Sequence, residues 1–226
     1  MSDVAGKSVL VVGASGGLGA LLAQGLADAG ARLTLAGRSA QRLQSLGVDD
    51  AHLVSADLMH PQAPASLVSV ALDAHGSLDG VVYAAGVVAF GGVADLDDEV
   101  IDELLMVNYL APVRVARAAL PHLPPGGFIV NLSAVVAEQP VPNMAAYCAS
   151  KAALTAFDAV FRTEARRSKV RVIDARPPHT ETGLADRPIA GVAPRMPQGL
   201  KPQAVADRIL RAILDDELDL PSAAFA

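Results

Sequence analysis

Tyr147 and Lys151 stand four residues apart in Tyr147-Cys148-Ala149-Ser150-Lys151. On a helix that spacing aims both side chains from one face into one cleft. A phenol with an ordinary pKa of ~10 is a poor base at neutral pH. Bringing it to ~7 takes about 4 kcal/mol of preferential phenolate stabilisation, at ~1.36 kcal/mol per unit. A neighbouring ammonium contributes to that in a partly dry site. The pair could then exchange a proton with the oxygen of an alcohol or carbonyl. Taken alone, the same spacing also describes a packed amphipathic ring beside a solvated lysine. What stands upstream decides between them.

Upstream, Gly13-Ala14-Ser15-Gly16-Gly17-Leu18-Gly19 joins an apolar β-branched run at 8–12 to a helical pattern over 18–29. Glycines let the backbone turn sharply and approach a pyrophosphate, and a helix N-terminus offers unpaired N–H groups to it. With a strand before it and a helix after it, the turn is a candidate dinucleotide cradle. After the next apolar run, Leu33-Thr34-Leu35-Ala36 gives way to Gly37-Arg38-Ser39. A carboxylate there would bind a ribose 2′-OH and repel a 2′-phosphate. Arg38 instead presents a planar guanidinium suited to phosphate, and Ser15 adds a hydroxyl. These residues predict NADP(H) rather than NAD(H), against the plainer reading of Arg38 as a solvated turn residue. A nicotinamide would carry the hydride while Tyr147 handles the proton, and its oxidised ring would add positive charge beside the phenol.

The elements that must position these groups recur along the whole chain. Short apolar runs at 8–12, 32–36, 51–55, 80–84, 127–132 and 170–175 read as strands. Amphipathic segments at 18–29, 40–46, 64–74, 97–120 and 145–168 read as helices between them. Strands alternating with helices imply right-handed crossovers and a parallel sheet covered on both faces. The predicted fold is therefore α/β, a single doubly wound domain over 1–226 that binds ligand at the carboxyl edge of its strands. The segment 176–203 holds six prolines and three glycines without a sustained period, and is expected to cover the substrate. Pro202 suits the start of a helix carrying Val205, Ile209 and Ile213, and 218–225 could add an edge strand.

Composition removes other classes of function. Among 226 residues, 52% are hydrophobic and 19% charged, enough for a core and unlike a disordered chain. A net charge of −6 argues against nucleic-acid binding, and the single cysteine, Cys148, excludes a disulfide scaffold. The uncharged stretch 8–27 could suggest a membrane segment, but its five glycines make a poor helix interior and Met1-Ser2-Asp3 offers no basic n-region. The expectation is a cytoplasmic protein with no membrane partner. His52, His60, His75, His122 and His179 show no metal-ligand spacing, so no metal is assigned. Cys148 points ~100° around the helix from Tyr147, toward packing.

Together with Val107-Asn108-Tyr109 and Ile129-Val130-Asn131-Leu132-Ser133, these motifs resemble the compact, NADP(H)-preferring short-chain dehydrogenase/reductase family, from about residue 7 to 182. The resemblance implies a Rossmann-type sheet of about seven strands and a nicotinamide cofactor. It places Gly13, Gly16, Gly17, Leu18 and Gly19 at the pyrophosphate, and Ser15 and Arg38 at the 2′-phosphate. Asp57 and Leu58 would flank the adenine, and Ala84-Ala85-Gly86 matches the family's Asn-Asn-Ala-Gly turn in its last two residues. Asn108 corresponds to the residue ordering a proton-relay water, and Tyr147 and Lys151 to the catalytic pair. Pro177, Thr180 and Thr182 fall in the segment that cradles the nicotinamide, with Pro178 in place of the usual glycine. Family members commonly pair two long helices, here 97–120 and 145–168, which implies a homodimer or homotetramer.

One position departs from the pattern. The family's substrate-binding serine lies thirteen residues before the tyrosine, and here that residue is Ala134. Ser133 is one residue earlier, and near a strand end such an offset sends a side chain to the opposite face. Either Ser133 still reaches the site as a catalytic donor or that donor is missing, a loss of ~10²–10³ in turnover. The leading expectation is an NADP(H)-dependent enzyme acting on a small carbonyl or alcohol. Val87-Val88-Ala89-Phe90 and Val135-Val136 suggest an apolar substrate. The alternative is an NADP(H)-binding regulator with weak or no turnover. A dehydratase or epimerase using the cofactor transiently has no specific support.

Overall fold

The computed structural model describes residues 3–225. Seven strands form one parallel sheet in the order β3-β2-β1-β4-β5-β6-β7: β1 (Ser8–Val12), β2 (Arg32–Gly37), β3 (His52–Ser55), β4 (Gly80–Tyr83), β5 (Phe128–Leu132), β6 (Arg171–Ala175) and β7 (Asp219–Leu220). The helices are α1 (Gly17–Asp28), α2 (Ala40–Gln44), α3 (Ala63–His75), α4 (Asp98–Leu105), α5 (Ala111–Ala119), α6 (Ala145–Ala165) and α7 (Pro202–Leu214). This is the Rossmann-type doubly wound architecture, and its direction of winding reverses between β1 and β4.

Strand periodicity feeds two cores. Leu10, Val12, Val81 and Tyr83 pack on one side with Val68, Val115 and Phe161 from α3, α5 and α6. Val9, Val11, Val82 and Val130 pack on the other side with Leu22, Leu26, Val205 and Ile209 from α1 and α7. Side chains of alternate residues point to opposite faces, so strands buried on both sides read as unbroken apolar runs.

The segment 97–120 is not one continuous helix. Between α4 and α5 it widens into a π-helical turn, Met106–Leu110, and after α5 it tightens into a 3₁₀ turn, Leu120–His122. Pro112 supplies the reason, because it has no N–H for the Asn108 carbonyl four residues back and its ring crowds that carbonyl. The Val107 carbonyl is instead taken by the Tyr83 hydroxyl at 2.6 Å. The edge strand expected over 218–225 is only two residues long. Pro221 follows it without an N–H to give, and Ser222–Phe225 forms a 3₁₀ turn.

Candidate active site

At the switch point, Gly13 takes φ +83°, and a Cβ there would lie 2.4 Å from the Ala85 backbone nitrogen. A Cβ on Gly19 would lie 2.1 Å from the Gly13 carbonyl, so this bend admits no side chain at either position. Gly16 caps α1 without a side-chain hydrogen bond, and the first turn of α1 carries no acid. Its N–H groups therefore face an anion without competition.

The cleft in front of this bend has a volume of about 680 Å³ and runs from the end of β2, across β1 and β4, to the start of α6. Ser15, Gly17, Leu18, Arg38, Asp57 and Leu58 line one end. Ala84, Ala85, Gly86, Ser133, Tyr147 and Lys151 line the middle, with Pro177, Thr180 and Thr182 across from them. Asp57 Oδ1 accepts the Met59 N–H at 3.0 Å, which fixes the turn after β3.

Arg42, on the first turns of α2, also lines the cleft beside Arg38, and Nη2 donates to the Ser15 carbonyl at 2.8 Å. Sequence reading passed over Arg42. Arg38 lies ahead of the extended Ser39 cap and Arg42 within α2, so helical spacing does not connect them, and yet both line the cleft.

Asn108 is fully buried, and its amide is wholly committed. Oδ1 accepts the Val87 N–H at 3.0 Å, while Nδ2 donates to the Val87 carbonyl at 2.9 Å and to Ser150 Oγ at 3.1 Å. The side chain thus pins the loop after β4 to α6. Gly86 keeps this corner open, since a Cβ there would sit 3.3 Å from Asn108 Oδ1 and 3.6 Å from Lys151 Nζ.

Tyr147 and Lys151 lie on the inner face of α6, 7% and 4% exposed. Lys151 Nζ donates to the Leu132 carbonyl at 2.8 Å. Burial pushes this ammonium down to about 8, opposed by the negative charge of Asp174. Burial also pushes the Tyr147 phenol above its ordinary range, with a smaller push from Cys148. Burial alone thus moves the phenol opposite to the depression expected from the sequence, which also counted the positive charge of an oxidised nicotinamide ring. The protein's own groups hold Tyr147 as a proton donor.

Ser133 does not present its hydroxyl to the cleft as a donor. Its one hydroxyl hydrogen goes to the Lys151 carbonyl at 3.0 Å, and its oxygen accepts from Thr155 Oγ1 at 2.9 Å. Strand parity is the cause: Ile129, Asn131 and Ser133 turn toward α6, so the catalytic expectation for Ser133 is corrected to a structural tie. Ala134 lines the cleft in its place.

The segment 176–203 lines one side of the cleft and is tied to the loop after β4. Ile189 N–H donates to the Val88 carbonyl at 2.9 Å and Phe90 N–H to the Ala190 carbonyl at 3.0 Å. Leu184, Ile189 and Met196 from this segment face Phe90, Val136, Val141 and Met144 around the cleft. His179 is also on its wall, with Nε2 turned 3.6 Å from Glu181 Oε1. Among the described residues no group of acids, histidines and cysteine is placed to hold a metal ion, and no helix is long and apolar enough to cross a membrane.

The family model for short chain dehydrogenases matches residues 7–190, and the chain belongs to this family. It is 31% identical to a dehydrogenase/reductase SDR family protein 7-like from Anopheles gambiae, over 98% of this chain and 76% of that one. A short-chain dehydrogenase from Burkholderia cenocepacia, solved in complex with NADP, superposes with a TM-score of 0.87 at 29% identity over the full length of both chains. A family member from Burkholderia phymatum, solved with NAD, has the same fold, with a TM-score of 0.88 at 23% identity over 98% of this chain and 90% of that one.

Proposed function

We propose that this protein is an NADP(H)-dependent oxidoreductase that moves hydride between a nicotinamide and a small carbonyl or alcohol. The observation that carries this reading is that Tyr147 and Lys151 share one cleft with the Gly13–Gly19 bend. The residues fit the dinucleotide: the bend excludes side chains, the start of α1 is uncapped, and Arg38 and Arg42 stand together. The NADP-bound relative from Burkholderia cenocepacia supports the same choice of cofactor.

When bound, the dinucleotide supplies or accepts the hydride. The chain's own groups handle the rest. Gly13, Gly16, Gly17 and Leu18 take the pyrophosphate, Ser15, Arg38 and Arg42 the 2′-phosphate, and Asp57 and Leu58 the adenine. Ala84, Ala85, Gly86, Pro177, Thr180 and Thr182 border the nicotinamide. Tyr147 Oη gives its proton to the carbonyl oxygen during reduction. Lys151 holds positive charge beside it, and Asn108 fixes the loop after β4 against α6.

The test is NADPH oxidation over a panel of aldehydes, ketones and diketones, alongside the melting shift with NADPH and with NADH. Turnover of at least one substrate and a larger shift with NADPH are expected. A larger shift with NADH overturns the cofactor choice. Ala134 and the committed Ser133 hydroxyl favour a second reading, a regulator that binds NADPH without turnover. Tight NADPH binding with silence across the panel would select it. Val160, 60% exposed on α6, supports pairing of two copies across this helix, and sedimentation tests it.

A further inference from the structure

The carbonyl end of the cleft is short of hydrogen-bond donors. Ser133 has spent its hydrogen on the Lys151 carbonyl, and Thr180 Oγ1 donates to the Pro178 carbonyl at 2.8 Å. His179 turns Nε2 toward Glu181, and the side chain of Thr182 packs against Gly17 at the nucleotide bend. Ala134, Val136, Val141 and Met144 form the wall beside Tyr147, and Phe90 and Ile189 the wall across from it. Of the hydroxyls around Ala134, that of Ser133 is spent on a protein carbonyl, which leaves Tyr147 as the hydroxyl on that wall without a recorded protein acceptor.

A carbonyl gaining hydride develops negative charge on oxygen. One oxyanion donor fewer typically costs ~10²–10³ in rate. An electron-withdrawing group on the adjacent carbon lowers the same barrier from within the substrate, because it draws that charge away from the oxygen. From the spent Ser133 hydroxyl, Ala134 beside Tyr147 and the apolar walls we infer that Ala134 sets the specificity of this site, and that its substrates are apolar vicinal dicarbonyls rather than simple ketones. This rests on the oxidoreductase reading above and narrows it to a substrate class. In the step, one carbonyl carbon of the diketone takes hydride from the reduced dinucleotide as its C=O π bond breaks, and the oxygen takes the Tyr147 proton. A hydroxyketone and the oxidised dinucleotide leave, and Tyr147 recovers a proton from solvent.

The test compares 1-phenylpropane-1,2-dione with 1-phenylpropan-1-one, matched in shape and differing in one carbonyl, in the wild type, Ala134→Ser and Ser133→Ala. Ala134 faces the cleft and is only partly buried, so the serine hydroxyl has room. The wild type should reduce the dione and leave the monoketone nearly untouched. Ala134→Ser should raise kcat/KM for the monoketone by ~10²-fold or more and for the dione by less than ~10-fold, with NADPH affinity unchanged. Ser133→Ala should leave the ratio between the substrates where it was, even if it lowers both rates. An equal factor on both substrates in Ala134→Ser, or a Ser133→Ala protein that loses the monoketone selectively, overturns the inference and leaves the oxidoreductase reading standing. No turnover of the dione by the wild type also overturns it. The oxidoreductase reading falls only if the wider panel is silent too.

Discussion

Lys151 Nζ donates a 2.8 Å hydrogen bond to the carbonyl of Leu132, so a buried ammonium ties the last residue of β5 to the second turn of α6. Nothing on the other side of the bond is charged, and burial pushes the lysine down to about 8 from 10.5. The sign for stability follows. Below pH 8 both folded and unfolded chains hold the proton, and folding bears the full desolvation penalty. Between 8 and 10.5 the unfolded chain binds more protons, so stability rises with pH, and above 10.5 the penalty is gone.

Lys151→Met removes this term, so it isolates the lysine from every other titrating group. The stability of the wild type minus that of Lys151→Met, from urea unfolding, is expected to climb by about 3 kcal/mol between pH 8 and 10.5. A difference that stays flat across that window would mean that Lys151 titrates as an exposed lysine does.

Tyr147→Phe separates binding from chemistry. The ring stays and fills the same space, while the one proton aimed at the carbonyl end is lost. Turnover should fall by at least ~10². The NADPH-dependent stabilisation, ~2.7 kcal/mol at ~100 times Kd, should survive. Because burial holds this phenol above its ordinary value and pushes Lys151 down to about 8, wild-type carbonyl reduction should stay level through neutral pH and fall above about pH 8 as the ammonium loses its charge. Full activity in the variant removes Tyr147 from the proton transfer.

Arg38 and Arg42 stand side by side at the adenosine end of the cleft. A charge-assisted hydrogen bond contributes about 1.5–3 kcal/mol. Arg38→Ala and Arg42→Ala are therefore each expected to weaken NADPH by about 10- to 100-fold, with NADH nearly unchanged in Arg38→Ala and weakened to a smaller degree in Arg42→Ala. Titration of cofactor fluorescence reads both directly, since the chain has no tryptophan to interfere. Arg42 has a second bond, to the Ser15 carbonyl, so its loss should also loosen the glycine bend.

Much of this was legible from periodicity. The strands from 8–12 to 170–175 are found within a residue of where apolar runs put them. In the central strands this is because a strand buried on both faces has to be apolar throughout, while β3 is an exposed edge strand. The glycine bend was legible because its neighbours were a strand and a helix. The orientation of Ser133 was readable too, by counting odd positions from Ile129, but that count needs the strand's facing to be known. Arg42 was not legible because it lies within α2, past the strand end, and only the folded chain turns it back to the Ser15 carbonyl. The break at Met106–Leu110 was hidden because apolar spacing continues through it, and only Pro112 marks it. Asp158 and Asp174 were invisible as a pair. One lies in an amphipathic helix and the other in an apolar strand, and only the packing of α6 on β6 brings them together.

That pair gives the last prediction. Asp158 and Asp174 are 0% and 1% exposed, and Asp158 Oδ2 and Asp174 Oδ1 have no hydrogen-bond partner. Asn131 Nδ2 donates to Asp158 Oδ1 at 2.7 Å, while Arg176 pairs with Asp174, Glu138 and Asp219. Burial first, and then the charge of Asp174, pushes Asp158 well above the usual carboxylate range. A folded carboxyl held above its unfolded value stabilises less as pH rises from 3.8 toward the folded value, because the folded chain binds the extra proton. Asn at this position is neutral at every pH, accepts from Asn131 and has an N–H for the orphaned Asp174 oxygen. Asp158→Asn is therefore expected to stabilise the protein at pH 7, because the wild type takes up a proton there on folding and Asn does not. The advantage should shrink as the solution is acidified toward pH 4. Urea unfolding at the two pH values reads it. A destabilised variant at pH 7 would mean that Asp158 carries its charge in the folded protein and that Arg162 and Arg176 sustain it there.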